Sequence, residues 1–139
     1  MGPQKQLNAY LKSVADLPFK WGQNDCLTFT NGAWQAMHGQ GWADDWIGRY
    51  MKRTSYGNRL MRKDELRVEF GFLTFAEAVD QRLTRVDHIP PRGSLVIAKQ
   101  AMGGGIGYSM GICVGAKAAF LSRAGVIYKS VTDISEAWI

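Results

Sequence analysis

Hydrophobic residues recur at helical spacing near the start of the chain. The positions that repeat every three or four residues are Leu7, Tyr10, Leu11, Val14 and Leu17. This spacing predicts an amphipathic helix that ends before Pro18 and packs its apolar face against the rest of the domain.

A second helix is predicted to begin at or near Cys26. Asn24 and Asp25 offer side chains that cap a helix N-terminus, and Gly39, just after His38, is a typical stop. The apolar positions on one face of this helix are Leu27, Thr30, Ala33, Trp34 and Met37. We interpret this face as core.

The pattern is irregular from residue 39 to residue 71. It becomes helical again at Thr74-Phe75-Ala76-Glu77, a capping-box sequence that predicts a short helix through Leu83. No helical pattern follows it.

The second half of the chain carries short apolar runs that are typical of strands. They span Leu95–Lys99, Met110–Val114, Ala118–Leu121 and Val126–Lys129, and glycine-containing turns separate them. Helices followed by an antiparallel sheet predict an α+β fold. Because no repeat or linker interrupts the chain, we expect one domain over residues 1–139.

The composition fits a globular protein with a basic surplus. The chain has 139 residues, of which 46% are hydrophobic and 12% aromatic, and its net charge is +5. These values exclude a disordered or collagen-like chain. No window approaches the length of about 18 apolar residues that a membrane-spanning helix needs, so we expect no membrane insertion, and no signal peptide is visible.

Much of the positive charge falls between Arg49 and Arg67, among aromatic residues. Mixed basic and aromatic segments occur in proteins that bind single-stranded nucleic acid. Because Asp64, Glu65 and Glu69 interrupt this segment, we interpret it as a solvated face or a contact with an acidic neighbour. Nucleic acid is not an expected partner.

Metal and cofactor sites lack candidate ligands. The cysteines are Cys26 and Cys113, the histidines are His38 and His88, and no CxxC motif is present. A structural zinc site or a cysteine-held iron–sulfur cluster needs more ligands at closer spacing. We expect no metal and no cofactor.

Cys26 is the residue with the most pointed chemical context. A thiol at a helix N-terminus lies at the positive end of the helix dipole, close to unpaired backbone N–H groups. That position suits a nucleophile whose own backbone N–H stabilises an oxyanion. A buried free cysteine is the alternative interpretation.

The segment from Phe19 to Cys26, Phe-Lys-Trp-Gly-Gln-Asn-Asp-Cys, resembles the nucleophile segment of the NlpC-type cysteine peptidases. These form a papain-like superfamily that cleaves peptides of the bacterial cell wall. Further segments are similar to a branch of small bacteriophage tail proteins: Gly48-Arg49-Tyr50, Pro91–Val96, Gly111–Gly115 and Ala137-Trp138. The resemblance covers nearly the whole chain. It implies a papain-like, NlpC-type fold with N-terminal helices packed on a C-terminal antiparallel sheet.

The resemblance also implies a site, which this sequence departs from. Cys26 falls at the nucleophile, but the position of the usual histidine base falls on Ser109, and that of the residue that orients the base falls near Ser122. A serine hydroxyl does not accept a proton near neutral pH. His38 lies roughly 18 Å along the same predicted helix from Cys26 and cannot reach it. His88 is interpreted as an exposed loop residue, and its approach to Cys26 stays open.

We therefore expect a structural component of a phage tail tip or baseplate with a degenerate cysteine site. It would be located in the virion or, during assembly, in the host cytoplasm, with other tail proteins as partners. One alternative is an active cell-wall cysteine peptidase or amidase that opens peptidoglycan as DNA passes through, with Cys26 as nucleophile. Another is a non-catalytic binder of peptidoglycan peptides that uses Trp21, Asn24 and Asp25.

Overall fold

The structure, a computed structural model, describes residues 2–71, 74–98 and 109–139. Within these ranges the helices are α1 (Pro3–Val14), α2 (Cys26–His38), α3 (Lys63–Phe70) and α4 (Phe75–Asp80), and two 3-10 turns span Asp44–Trp46 and Val131–Asp133. None of the helices in the described ranges is long and apolar enough to cross a membrane.

The strands form two separate sheets. Their bounds are β1 (Met51–Thr54), β2 (Gly57–Leu60), β3 (Arg85–Val86), β4 (Leu95–Ala98), β5 (Ser109–Cys113), β6 (Lys117–Ser122), β7 (Gly125–Ser130) and β8 (Ile134–Trp138). Strands β1 and β2 make a hairpin, and the others form an antiparallel sheet in the order β3-β8-β4-β5-β6-β7. The predicted α+β fold, with helices before an antiparallel sheet, is confirmed.

Helix α2 has the predicted bounds. Asp25 is its N-cap, and Gly39 ends it with φ of 86°, a left-handed conformation that glycine adopts without steric cost. The four strands predicted from apolar runs are β4 to β7. Strand β4 begins at Leu95 as predicted, and the observed bounds of β5, β6 and β7 differ from the prediction by one residue at each end. The predicted end of the first strand at Lys99 lies outside the described residues.

Helix α1 ends three residues earlier than Leu17, which is 47% exposed. The chain leaves the helix at Ala15, because the carbonyl oxygen of Ala15 accepts a hydrogen bond at 2.9 Å from the backbone N–H of Val126 in β7. A Cβ on Gly125 would lie 2.3 Å from that oxygen, so this approach of helix to strand requires glycine.

Helix α4 begins at Phe75 as predicted, but it ends at Asp80 instead of Leu83. The Thr74 hydroxyl accepts from the backbone N–H of Glu77 at 3.2 Å, which caps the helix. At the other end, the N–H groups of Arg82 and Leu83 both donate to the carbonyl oxygen of Val79 at 2.9 Å. This shared acceptor tightens the last turn and ends the helix.

Helices α1 and α2 pack over one face of the six-stranded sheet. The core between them includes side chains that are at most 1% exposed: Leu7, Phe29, Leu95, Ile112 and Trp138. A second, smaller cluster occupies the other face and contains Val96, Ala98, Cys113, Ala118, Phe120 and Ala137. Alternation along each strand assigns neighbouring residues to opposite faces. Cys113 is fully buried in this second cluster.

Three aromatic residues of the middle segment, residues 39–71, belong to this chain's own core. Trp42, Trp46 and Tyr50 are 6%, 4% and 5% exposed. The Trp42 and Trp46 rings meet edge to face with centroids 5.5 Å apart, and the Arg82 guanidinium lies 3.9 Å over Trp46 while it pairs with Asp45. A partner that contacts this segment therefore meets its basic side chains, because these aromatic rings are already buried.

Candidate functional site

The N-terminus of α2 is held by a reciprocal cap. One carboxylate oxygen of Asp25 accepts from the backbone N–H of Thr28 at 2.9 Å, and the Thr28 hydroxyl accepts from the backbone N–H of Asp25 at 2.8 Å. Two N–H groups of the first turn are thereby satisfied, and Cys26 is fixed as the first residue of the helix.

The second oxygen of Asp25 connects two further segments. It accepts from the backbone N–H of Gly22 at 2.7 Å and from the hydroxyl of Tyr50 at 2.5 Å. Asp25 is fully buried, and three donors thus surround its carboxylate. Burial and the hydrogen bond to Asp25 raise the pKa of Tyr50 well above its usual range. The Asp25 carboxylate therefore links three parts of the chain: the loop before α2, helix α2 and Tyr50, the residue before β1.

Cys26 lies beside this carboxylate and is 8% exposed. Burial first, and then the negative charge of Asp25, raise the pKa of the Cys26 thiol to about 12. Hydrogen bonds with the backbone of Met110, of Leu27 and of Cys26 itself act in the opposite direction without offsetting the first two. The thiol is therefore protonated at neutral pH, although it lies at a helix N-terminus against strand β5.

Ser109 and Ser122 lie on neighbouring strands. Ser109 begins β5 and pairs with Ala98 of β4. Strands β5 and β6 pair with Gly111 opposite Phe120, and continuing that register places Ser122 opposite Ser109. The Ser122 hydroxyl donates to the carbonyl oxygen of Gly125 at 2.7 Å and accepts from the N–H of Ala124 at 3.2 Å. The Ser122 hydroxyl therefore both donates and accepts a hydrogen bond within the hairpin turn between β6 and β7.

The three residues predicted to bind peptide have different surroundings. Asn24 donates from Nδ2 to the carbonyl oxygen of Pro18 at 2.8 Å and so closes the loop before α2. Trp21 is partly buried and meets Phe19 edge to face at 4.9 Å. Asp25 is fully buried with both oxygens occupied, whereas Trp21 and Asn24 are only partly buried.

Neither histidine is among the groups that act on Cys26. His38 is the last residue of α2, at the opposite end of the helix, and its ring lies 5.2 Å from that of Trp34. His88 has a side chain that is 73% exposed and a hydrogen bond to Asp87 at 3.2 Å. Over the ranges 2–71, 74–98 and 109–139, no group of three His, Cys, Asp or Glu residues is placed to hold a metal ion.

Tyr50 is the site residue that the sequence analysis did not identify. It is 25 positions from Asp25 in the chain, and no local pattern joins the two. The signal that pointed toward it was the segment Gly48-Arg49-Tyr50, which is part of the family resemblance.

A comparison with protein families gives one match. A family model described as "Domain of unknown function (DUF6950)" matches residues 2–139. No curated protein matches the chain.

Proposed function

The chain belongs to the DUF6950 family, which is described as a domain of unknown function. We propose that it is a non-hydrolytic domain of papain-like, NlpC-type fold in a bacteriophage tail tip or baseplate. The observation that carries the non-hydrolytic part is the buried thiol of Cys26, with its pKa raised to about 12. The resemblance of the segment from Phe19 to Cys26 to NlpC-type peptidases supports the fold. The similarity of further segments to small tail proteins supports the phage context.

Cysteine peptidases need a thiolate and a base that forms an ion pair with it. Here burial and Asp25 both favour the neutral thiol, and the position of the usual histidine base holds Ser109. The domain keeps the helix cap that places Cys26, because that cap also holds the fold together through Tyr50. Cys26 lies at a helix N-terminus, where a nucleophile is commonly placed, but its surroundings keep the thiol protonated.

The alternative, an active cell-wall cysteine peptidase or amidase, has one specific observation in its favour. The backbone of Cys26, Leu27 and Met110 hydrogen-bonds at the sulfur, which is the kind of arrangement that stabilises a thiolate or an oxyanion. This activity requires a base that reaches Cys26 when substrate binds. The peptidase or amidase activity requires the Cys26 thiol, whereas the structural role does not.

We expect Cys26→Ala to support tail assembly as well as the wild-type chain does. The test uses a phage from which the gene for this chain has been deleted. The wild-type or variant chain is supplied separately, and complete tails are counted by electron microscopy. In parallel, both proteins are incubated with muropeptides, and we expect no cleavage product from either. The reason is that a neutral, buried thiol contributes packing and no chemistry.

Cys113→Ala is the matched control, because it removes the other buried cysteine from the opposite face of the sheet. Complete tails in the absence of the chain would contradict the structural role. Muropeptide cleavage that Cys26→Ala abolishes and Cys113→Ala retains would establish the hydrolase instead. Within the proposal, the chain is located in the virion or in the host cytoplasm during assembly, and its partners are other tail proteins.

A further inference from the structure

The β1–β2 hairpin stands apart from the six-stranded sheet. Its register runs from Met51 opposite Leu60 to Thr54 opposite Gly57, and Met51 and Leu60 pack against the main core. At the other end, Tyr56 is fully exposed. The core therefore holds the hairpin by its base and leaves its far end in solvent. We refer to residues 53–58 as the hairpin tip.

Ion pairs neutralise part of the positive charge at the base of the hairpin. The sequence from residue 49 to residue 69 contains seven Lys and Arg residues and three acidic ones. Glu65 pairs with Lys52 at 2.5 Å and with Arg59 at 2.8 Å, and Glu69 pairs with Arg49 at 3.1 Å. Hydrogen bonds from Arg59 and Lys52 lower the pKa of Glu65 well below its usual range.

The hairpin tip carries a cation, Arg53, that takes no part in these ion pairs. Arg53 is exposed on β1, directly opposite Asn58 of β2, and it makes no ion pair with any residue in the part of the chain that the structure describes. Tyr56, in the turn that joins β1 to β2, has an exposed ring, and residues 49–69 carry an excess of positive charge. Arg and Tyr are the residue types most enriched where protein interfaces concentrate their binding energy.

We propose that the hairpin tip docks onto an acidic surface of another protein. This inference rests on the proposed structural role and names the surface that role would use. A protein fits better than single-stranded nucleic acid, which stacks successive bases on several aromatic rings in a basic groove. In the middle segment Trp42, Trp46 and Tyr50 are buried, and Tyr56 is the exposed ring of the hairpin.

The test uses the full-length chain, labelled with 15N, and two probes of matched charge. Decaglutamate with an acetylated N-terminus and an amidated C-terminus stands for an acidic protein segment, and an eleven-residue oligothymidylate, which has ten phosphodiester charges, stands for nucleic acid. We expect decaglutamate to shift the amide resonances of residues 53–58, and Arg53→Glu to weaken its binding about fivefold, since a close favourable charge becomes a repulsive one. Arg123→Glu makes the same charge change at the exposed turn between β6 and β7 and is expected to alter binding less than twofold.

Three results would overturn the inference. They are shifts that fall outside the hairpin, equal weakening by Arg53→Glu and Arg123→Glu, and tighter binding of the oligothymidylate than of decaglutamate. None of these bears on the chemistry of Cys26, which complementation with Cys26→Ala tests separately. A failure of hairpin docking is thus distinguishable from a failure of the proposed function.

Discussion

Replacing Asp25 by alanine is expected to lower the free energy of unfolding by about 3–5 kcal/mol. The substitution removes the cap of α2 and leaves three donors without their acceptor: the Tyr50 hydroxyl and the backbone N–H groups of Gly22 and Thr28. The lost cap, which includes the unpaired Thr28 N–H, costs about 1 kcal/mol, and each of the other two donors left unpaired adds about 1–2 kcal/mol. Urea unfolding followed by tryptophan fluorescence measures the change.

Asp16→Ala is the matched control for this substitution. Asp16 is exposed, and its side chain makes no hydrogen bond or ion pair within the described part of the chain. We expect a change of less than about 0.5 kcal/mol. If the two alanine variants were equally stable, the buried carboxylate would not be the connection between the loop, α2 and Tyr50 that the structure indicates.

Trp138→Ala is expected to destabilise the chain by a similar amount, about 3–5 kcal/mol. Trp138 is fully buried in β8, where it pairs with Leu95 of β4 on one side and Arg85 of β3 on the other. Its indole N–H donates to Asp80 at 2.8 Å, and the Arg85 guanidinium lies 5.1 Å from a ring centroid. Removing the ring leaves a cavity in the core and removes the hydrogen bond that joins β8 to α4.

Trp138→Phe separates the cavity from the hydrogen bond. Phenylalanine keeps most of the apolar contact and loses the N–H that binds Asp80, so the expected cost is about 1–2 kcal/mol. The same urea titration compares the variants. Equal destabilisation by phenylalanine and alanine would show that the hydrogen bond dominates and that the core tolerates the missing ring.

The elements that the sequence predicted are those with local signals at both ends. Asp25 and Gly39 flank α2, and each acts on backbone groups within four residues of itself. Strands β4 to β7 are each centred on a short run of apolar residues, so short windows of sequence sufficed to predict them. In each case the deciding interaction lies within a few residues along the chain.

The elements that the sequence did not predict depend on contacts between distant residues. The hairpin of β1 and β2 and helix α3 are polar, and Glu65 of α3 binds Lys52 and Arg59 of the hairpin. Strand β3 has two residues and takes its extended form from pairing with β8, which begins 48 residues after β3 ends. A pattern within a few neighbouring residues cannot reveal contacts between residues so far apart in the chain.

The start of α2 at Cys26 was predicted from the sequence, but the protonation of the Cys26 thiol was not. Asp25 as a cap and Cys26 at a helix N-terminus follow from adjacent residues. The protonation of the thiol depends on how deeply Cys26 lies below the surface and on a carboxylate that Tyr50 helps to hold there. Burial is a property of the whole fold, and this is why the sequence left the nucleophile and the buried cysteine as two open alternatives.

The rate at which iodoacetamide alkylates Cys26, measured from pH 5 to pH 10 by peptide mass spectrometry, tests the non-hydrolytic site most directly. Only the thiolate reacts, and the pKa of Cys26 is raised to about 12. The account predicts a slow rate that still rises with pH at pH 10, below that of the chain unfolded in urea, with Cys113 in the same digest reporting global unfolding. A rate that is flat between pH 5 and pH 8 and exceeds that of the unfolded chain would show a thiolate paired with a base, and would contradict it.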